Sequence, residues 1–187
     1  MLENPPRFFQ KIITLIVETC LKILFDYIGS WFAKRRKQLP GQTNDYDIAI
    51  KFLRKWEGYQ SQAYWDVNAW RNGYGSDTMG AKQTRVKRYD KTTREDAEAN
   101  LSVRLPQFER TIIKQCGLKQ WKRLSPNTQG ALLSFCYNYG KLTQTLTDTI
   151  KRNGSRIDIS SAVYARRFDN NSVNKNRREA EAKLIVS

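Results

Sequence analysis

Residues 46–78 read YDIAIKFLRKWEGYQSQAYWDVNAWRNGYGSDT and join two kinds of predicted secondary structure. The apolar positions of the first part recur at helical spacing on one face: Tyr46, Ala49, Ile50 and Leu53. This spacing predicts a helix of about three turns that stops at Gly58. Residues 63–78 instead combine Tyr, Trp and Val with Gly73 and Gly75, which favours a small β-hairpin or meander. We therefore expect a short helix followed by a small sheet.

The remainder of the chain carries the start and stop signals of helices. Thr93 with Asp96 resembles a capping box, and Pro106 is expected to break or kink the helix that follows. A Ser-Pro step at Ser125 predicts another helix start, and Gly140 predicts its end. Further helices are predicted at 143–153, at 157–168 and from about 174 to the C-terminus. The predicted fold class is therefore α+β, mostly helical, with one small β element.

The composition limits the chemistry. The chain has 33 Lys and Arg against 18 Asp and Glu, a net charge of +15, which favours a polyanionic partner such as nucleic acid, anionic lipid or an acidic cell wall. Histidine is absent, which excludes His-ligated zinc hydrolysis and Ser-His or Cys-His nucleophilic catalysis. Cys20, Cys116 and Cys136 lack CxxC spacing, and we expect reduced thiols. Any chemistry must therefore use carboxylates, Tyr, Lys or Cys, and we expect no metal or cofactor.

Residues 1–45 are predicted to form an amphipathic docking helix followed by a basic linker. The polar residues of the helix occupy one stripe: Lys11, Glu18, Lys22 and Asp26. The rest of its surface is apolar and needs a partner, and a basic run follows at 34–37. A partner protein is the prediction, and an anionic membrane surface is the alternative. The charged stripe argues against a membrane span. Residues 46–187 are then the second, catalytic domain.

Glu57 is the residue best placed for acid chemistry. It falls on the apolar arc of its helix, and an apolar setting favours a protonated carboxyl that can be donated to a leaving oxygen. Asp66 follows nine residues later across the Gly58 turn, where a returning strand could face the helix end. Two carboxylates on opposite walls of a cleft are the minimal apparatus for glycoside hydrolysis. Two alternatives stay open: a structural salt bridge between Glu57 and a nearby Arg, and Asp77 as the second carboxylate.

This pattern resembles the phage-type lysozymes of glycoside hydrolase family 24, whose signature is a helix-terminal Glu-Gly, an Asp, a Thr and a Gly-x-Gly turn. The matching segments are Trp56-Glu57-Gly58, Ala63-Tyr64-Trp65-Asp66 and Gly73-Tyr74-Gly75. The likeness continues in the family's order through residues 93–98, 131–140 and 177–181. It covers roughly residues 46–187. The resemblance implies a lysozyme-like domain with the β element near its cleft. It also implies cleavage of the β-1,4 bond between N-acetylmuramic acid and N-acetylglucosamine, with Glu57 as general acid and Asp66 activating water or stabilising charge.

One position departs from the family pattern. The family's Thr falls on Asn72 when counted from Asp66, and on Arg71 when counted back from Gly73, and neither is Thr. Asn72 could hydrogen-bond the attacking water, whereas Arg71 would pair with a carboxylate instead. If no water is guided, cleavage would resemble that of lytic transglycosylases, in which no water attacks. Counting along the chain leaves both positions open.

Other residues are predicted to bind the substrate. The set is Tyr64, Arg71, Tyr74 and Asn138. Trp65 and Trp70 could also stack on sugars, although aromatic residues at alternating positions are more often part of the core. Asn138 could hydrogen-bond an N-acetyl group or cap its helix. Arg177 and Arg178 are expected to be structural residues in salt bridges.

The expected partner is peptidoglycan, and nucleic acid is not favoured. No cleavable signal is visible, because charged residues interrupt the first apolar run. With the family resemblance, we therefore expect a phage-encoded protein that is made in the host cytoplasm and acts on the bacterial cell wall, either free or associated with the virion. The partner of residues 1–45 would then belong to a phage particle or lysis assembly. A non-enzymatic virion adaptor built on a lysozyme scaffold is the alternative.

Overall fold

The computed structural model describes residues 45–187. The predicted docking helix and basic linker therefore lie outside the described residues, as does Cys20. The helices are α1 Asp45–Glu57, α2 Arg94–Cys116, α3 Leu118–Arg123, α4 Pro126–Tyr139, α5 Gln144–Lys151, α6 Arg156–Tyr164 and α7 Lys175–Val186, with a 3-10 segment Ala165–Ser172. The strands are β1 Gln60–Asp66, β2 Ala69–Gly73, β3 Thr78–Met79 and β4 Thr84–Arg85. The predicted α+β class, mostly helical with a small β element, is confirmed.

The small sheets directly follow α1. Strands β1 and β2 form an antiparallel hairpin, and β3 pairs with β4 in a second hairpin. Gly73 ends β2 with φ +58, and a Cβ there would lie 2.9 Å from the Ala97 Cβ on α2. Only glycine fits both the left-handed backbone and this close approach. The predicted β element is thus confirmed, and Gly73 sets it against α2.

Helix α4 forms the centre of the hydrophobic core. Its residues 130–136 are all buried, and α4 packs against α1, α2 and α7. Gly130 permits the approach of α1, because a Cβ there would lie 2.5 Å from Ile48 Cγ2. The predicted helix start and stop are confirmed: the Ser125 side chain accepts a hydrogen bond from the Thr128 N–H, and Gly140 takes a left-handed conformation.

Helix α2 begins as predicted but does not end at its proline. The Thr93 side chain caps it by accepting from the Asp96 N–H. The helix then continues through Pro106 to Cys116, so of the predicted break or kink the break is wrong. The apolar face explains the continuity, since Leu105 and Ile112 on either side of the proline are fully buried. Packing of this face offsets the hydrogen bond that proline removes.

Two further features differ from the expected helices. The short helix α3 was not predicted, and the helix predicted at 157–168 ends at Tyr164. The 3-10 segment follows, in which Asn170 and Asn171 have positive φ, a conformation that asparagine tolerates better than most residues.

Cys116 and Cys136 are buried free thiols, as expected. Within residues 45–187 no helix has the length and apolar character needed to cross a membrane.

Candidate active site

Glu57 lies at the end of helix α1, on one wall of an open cleft. Ala49 and Leu53 of α1 are fully buried, and Glu57 closes the helix with a side chain that is 19% exposed. Gly58, with φ +66, then turns the chain into β1. A Cβ on Gly75 would lie 3.5 Å from Glu57 Oε2, so this oxygen faces the turn after β2. The carboxyl is therefore half-enclosed and directed towards the hairpin.

The other oxygen of Glu57 is held from the far end of the chain. Arg177 Nη1 on α7 donates to Glu57 Oε1 at 2.6 Å, and the Arg177 side chain is only 4% exposed. Its Nη2 donates to the Ser134 carbonyl at 2.9 Å. The alternative of a salt bridge between Glu57 and an Arg is thus present in the structure. The partner is 120 residues away in sequence, so no local pattern could identify it.

Arg177 belongs to a buried ion cluster, which we define as Ser134, Arg177, Arg178 and Glu181. Glu181 is completely buried, and its Oε1 accepts from Ser134 Oγ at 2.7 Å, Arg178 Nη2 at 3.0 Å and Arg177 Nε at 3.3 Å. The Arg178 guanidinium also lies over the Phe135 ring at 4.6 Å. Arg177 is therefore fixed by partners inside the core, as well as by Glu57. The expected salt-bridging role of both arginines is present.

The hairpin forms the opposite wall. Tyr64 pairs with Arg71 in the β1–β2 register, and Arg71 Nε lies 2.8 Å from Asp66 Oδ2. Arg71 Nη1 also donates to the Gly75 carbonyl at 3.2 Å. The Asp66 side chain is 46% exposed and that of Arg71 is 27% exposed. Of the two positions that counting left open, Arg71 is the one that pairs with a carboxylate.

The cleft between these walls has a volume of about 290 Å³. Its lining consists of Glu57, Tyr64, Asp66, Arg71, Gly75, Tyr137 and Asn138. Burial, followed by the Asp66 carboxylate, raises the pKa of Tyr64. Tyr137 donates to the Tyr74 carbonyl at 2.8 Å, and burial raises its pKa. Both phenols thus remain neutral hydrogen-bonding groups at neutral pH.

The structure brings five of the predicted site residues to this cleft but leaves two outside it. Asn72 is 1% exposed, and its amide points to Met79 Sδ, so it cannot reach a water in the cleft. Tyr74 is 3% exposed and belongs to the core, where its ring lies 5.9 Å from that of Tyr59. Strand alternation explains the position of Asn72, since it follows Arg71 and lies on the other side of β2.

The competing carboxylate also lies away from the cleft. Asp77 sits in the turn before β3 and forms a salt bridge of 2.6 Å with Arg104 Nη1 of α2. Trp65 and Trp70, which could have stacked on sugars, are not among the residues that line the cleft. No group of three or more His, Cys, Asp or Glu in the described part of the chain could hold a metal ion. The polar side chains that line the cleft are thus two carboxylates, two phenols, the Arg71 guanidinium and the Asn138 carboxamide, and the Arg177 guanidinium binds Glu57 from the core.

Sequence reasoning missed the parts of the site that arrive from distant segments. Tyr137 and Asn138 stand side by side at the end of α4, but only Asn138 was predicted to be in the site. Ser134, one turn earlier, and Glu181 on α7 fix Arg177. On α7, Glu181 follows Arg178 by three residues and Arg177 by four, a spacing that predicts ion pairs within the helix. The spacing did not indicate that Arg177 also binds Glu57.

Comparison with known proteins identifies the family and the fold. The family model described as phage lysozyme matches residues 54–181. An endolysin from Escherichia coli O157:H7 phage FAHEc1 is similar in structure, with a TM-score of 0.63, 21% identity, and coverage of 80% of this chain and 97% of that one. A P22 lysozyme mutant gives a TM-score of 0.62 at 19% identity, covering 78% and 100%.

A bacterial protein shares the same fold. The muramidase domain of SpmX from Asticaccaulis excentricus gives a TM-score of 0.60 at 20% identity, covering 74% of this chain and 95% of that domain. No curated protein matches the chain in sequence. At these identities the similar structures establish the fold, whereas the family rests on the match over residues 54–181.

Proposed function

Since the chain belongs to the phage lysozyme family and is a peptidoglycan-degrading glycoside hydrolase, we propose that it cleaves the β-1,4 bond between N-acetylmuramic acid and N-acetylglucosamine. Glu57 is the general acid that protonates the glycosidic oxygen. Asp66, on the opposite wall of the cleft, activates water or stabilises the positive charge on the sugar. Tyr64, Arg71 and Asn138 contact the substrate from the cleft lining.

One observation carries the assignment of Glu57. Its Oε1 is fixed by Arg177, while its Oε2 is directed towards the cleft near Gly75. A proton on Oε2 is therefore presented to a glycan in the cleft by a carboxyl that cannot rotate freely. Such a fixed orientation is the geometric requirement for general acid catalysis. Because Ser134 and Glu181 also hold Arg177, this arginine stays in place when Glu57 is protonated.

The experiment is the clearing of purified cell walls by Glu57→Gln, followed as a loss of turbidity. Glutamine keeps the volume and can still accept the Arg177 hydrogen bond, but it has no proton to donate. We expect the rate to fall by about 100-fold or more. The matched control is Glu98→Gln, which removes an exposed partner of Arg54 outside the cleft and should clear walls at the wild-type rate. Near wild-type clearing by Glu57→Gln would refute the assignment.

A second course of reaction is favoured by the Arg71–Asp66 pair. Arg71 occupies Asp66 Oδ2 at 2.8 Å, so this oxygen is not free to accept a hydrogen bond from an attacking water unless Arg71 moves away. The bond could then break by attack of the muramic acid's own 6-hydroxyl on C1, with the proton of that hydroxyl leaving to a base and no water consumed. Mass spectrometry of the released muropeptides separates the two courses. Hydrolysis gives reducing ends, whereas exclusively anhydro ends would show that water is not the nucleophile.

The sequence adds two elements to the proposal. We infer that the protein is phage-encoded and that residues 1–45 dock it to a partner protein, because the wide apolar face predicted there exceeds what one small domain can cover. Flotation of the isolated segment with anionic liposomes tests the docking. Strong, salt-sensitive flotation would assign the segment to a membrane surface instead.

A further inference from the structure

The β1–β2 hairpin has two faces, because successive side chains of a strand point to opposite sides. Tyr64, Asp66 and Arg71 occupy the face that lines the cleft. Trp65 pairs with Trp70 in the register and so lies on the opposite face, where the two rings meet edge to face at 5.5 Å. An aromatic pair is therefore presented behind the cleft.

The loop after β4 enlarges this aromatic pair. The Arg88 guanidinium lies 6.0 Å from the Trp70 ring and 5.3 Å from the Tyr89 ring. The loop is tied to β1 because the Ala63 N–H donates to the Asp90 carbonyl at 2.9 Å. We use the name reverse face for one set of residues: Trp65, Val67, Trp70, Arg88 and Tyr89. Ring contacts link Trp65, Trp70, Arg88 and Tyr89, and Val67 lies in the turn that joins the two strands.

The reverse face exposes large apolar side chains. Trp65 is 58% exposed, Tyr89 82% and Val67 88%. Val67 also occupies the hairpin turn with φ +50, a region that a β-branched residue strongly disfavours and that Asn or Gly would adopt readily. Neither backbone preference nor packing within the described residues accounts for valine there. Such a combination of local strain and exposure is typical of a functional position.

We propose that the reverse face docks onto the surface of an anionic lipid bilayer. Trp and Tyr prefer the boundary between water and hydrocarbon, and an exposed aliphatic side chain gains by entering the acyl region. Four cations lie in and beside the loop: Arg85, Lys87, Arg88 and Lys91. The one carboxylate among them, Asp90, accepts a hydrogen bond from the Lys87 N–H. This charge complements acidic headgroups.

A glycan fits this surface less well. Aromatic rings can stack on sugars, but Val67 offers neither a ring nor a hydrogen-bonding group, and it is more exposed than Trp65 or Tyr89. Docking on lipid would also leave the cleft usable, because Tyr64, Asp66 and Arg71 lie on the other side of the hairpin. The cleft would face away from the bilayer, in the direction where cell-wall substrate lies next to a membrane.

The experiment compares variants of the full chain in co-sedimentation with two kinds of vesicle, one of phosphatidylethanolamine and phosphatidylglycerol, the other of phosphatidylcholine alone. Because every variant retains residues 1–44, any contribution of that segment is the same in each. Val67→Asn should lower partitioning onto the anionic vesicles about tenfold, since it removes the one aliphatic side chain that would enter the acyl region of the bilayer. Its thermal midpoint should not fall, because asparagine tolerates the positive φ. Trp65→Ser should also lower partitioning.

The matched control is Val173→Asn, an exposed valine of the same kind at 81% exposure with an ordinary negative φ. Its partitioning should equal that of the wild type. Equal partitioning of Val67→Asn and wild type, or no wild-type binding to the anionic vesicles, would overturn the proposal. A loss confined to lipid-free peptidoglycan in the same sedimentation assay would also overturn it and assign the reverse face to glycan.

Discussion

The two walls of the cleft each pair a carboxylate with an arginine, but they do so in different surroundings. On the helical wall, Glu57 is 19% exposed and Arg177 4%. On the hairpin wall, Asp66 is 46% exposed and Arg71 27%. The distances are similar, at 2.6 and 2.8 Å. Ion pairs of the same length therefore differ in energetic value, because burial removes the screening by water.

This difference indicates what each wall does. Arg177 is locked by the buried ion cluster, so the position of Glu57 is set by packing between α4 and α7. Among residues 45–187, the polar partners of Arg71 are Asp66 and the Gly75 carbonyl, which lie on its own hairpin and in the turn after it. If Glu57 is the proton donor, as we propose, the helical wall holds that donor in a fixed position, and we expect the hairpin wall to rearrange at little cost when substrate enters.

The largest effect is expected from removing the charge at the base of the helical wall. Glu181→Gln leaves Arg177 and Arg178 buried without their shared carboxylate, and breaking a buried pair in this way costs about 3–5 kcal/mol. The free energy of unfolding from urea titration measures the loss. The control is Glu98→Gln, whose pair with Arg54 is well exposed and should change stability by about 0–1 kcal/mol.

If Glu181→Gln lowers the free energy of unfolding no more than the control does, the ion pairs of the two walls do not differ in energetic value. It would mean that water reaches the cluster and screens its charges. A loss of wall clearing beyond the loss of folded protein would support the view that the cluster positions Arg177 for Glu57.

A smaller effect is expected on the hairpin wall, where Arg71→Thr introduces the family's Thr at the one of its two possible positions that faces the cleft. Freeing Asp66 from a half-exposed pair worth about 1 kcal/mol should raise the hydrolytic rate about fivefold. Stability should hardly change, because no buried charge is left alone. The matched variant Arg71→Lys keeps a cation but not the planar fork and should stay near the wild-type rate.

Quantifying reducing ends on purified walls measures this change. A fall in rate with a raised KM would contradict the release of Asp66 and show that Arg71 contributes mainly to substrate binding, as the sequence predicted. Anhydro ends that give way to reducing ends in Arg71→Thr would identify Arg71 as the residue that decides the course of the reaction.

The parts of the fold and site that sequence predicts are those encoded locally. Thr93, Ser125 and Gly140 act as caps through neighbouring backbone groups, and each is found as expected. Glu57 reaches the cleft because its own helix places it there. Arg177 could not be assigned to Glu57, because their contact depends on how α7 packs on the core, 120 residues later.

Whether Arg71 or Asn72 faces the cleft depends on a hairpin turn that the sequence does not mark. A two-residue turn at Val67 and Asn68 pairs Asp66 with Ala69 and so puts Arg71 on the cleft face. The usual Asn-Gly signal for such a turn is missing, so the register could not be fixed by reading. Pro106 shows the reverse case, in which a strong local signal yields to the buried apolar face of α2.

The smallest expected effect concerns a second half-exposed pair on the sheet side, between Asp77 and Arg104. The hydrogen bond from Arg104 holds the pKa of Asp77 below its usual 3.8. A folded-state pKa below the unfolded one stabilises the fold at pH values above the unfolded pKa, and this contribution disappears as the pH falls through the folded pKa.

Asp77→Asn should therefore lower the thermal midpoint slightly at neutral pH, by an amount typical of a screened pair of about 0–1 kcal/mol. Thermal melts from neutral to acid pH should show wild type and variant converging below the usual Asp range. A difference that persists in acid would mean that the Asp77 carboxyl acts through a contact that does not depend on its charge.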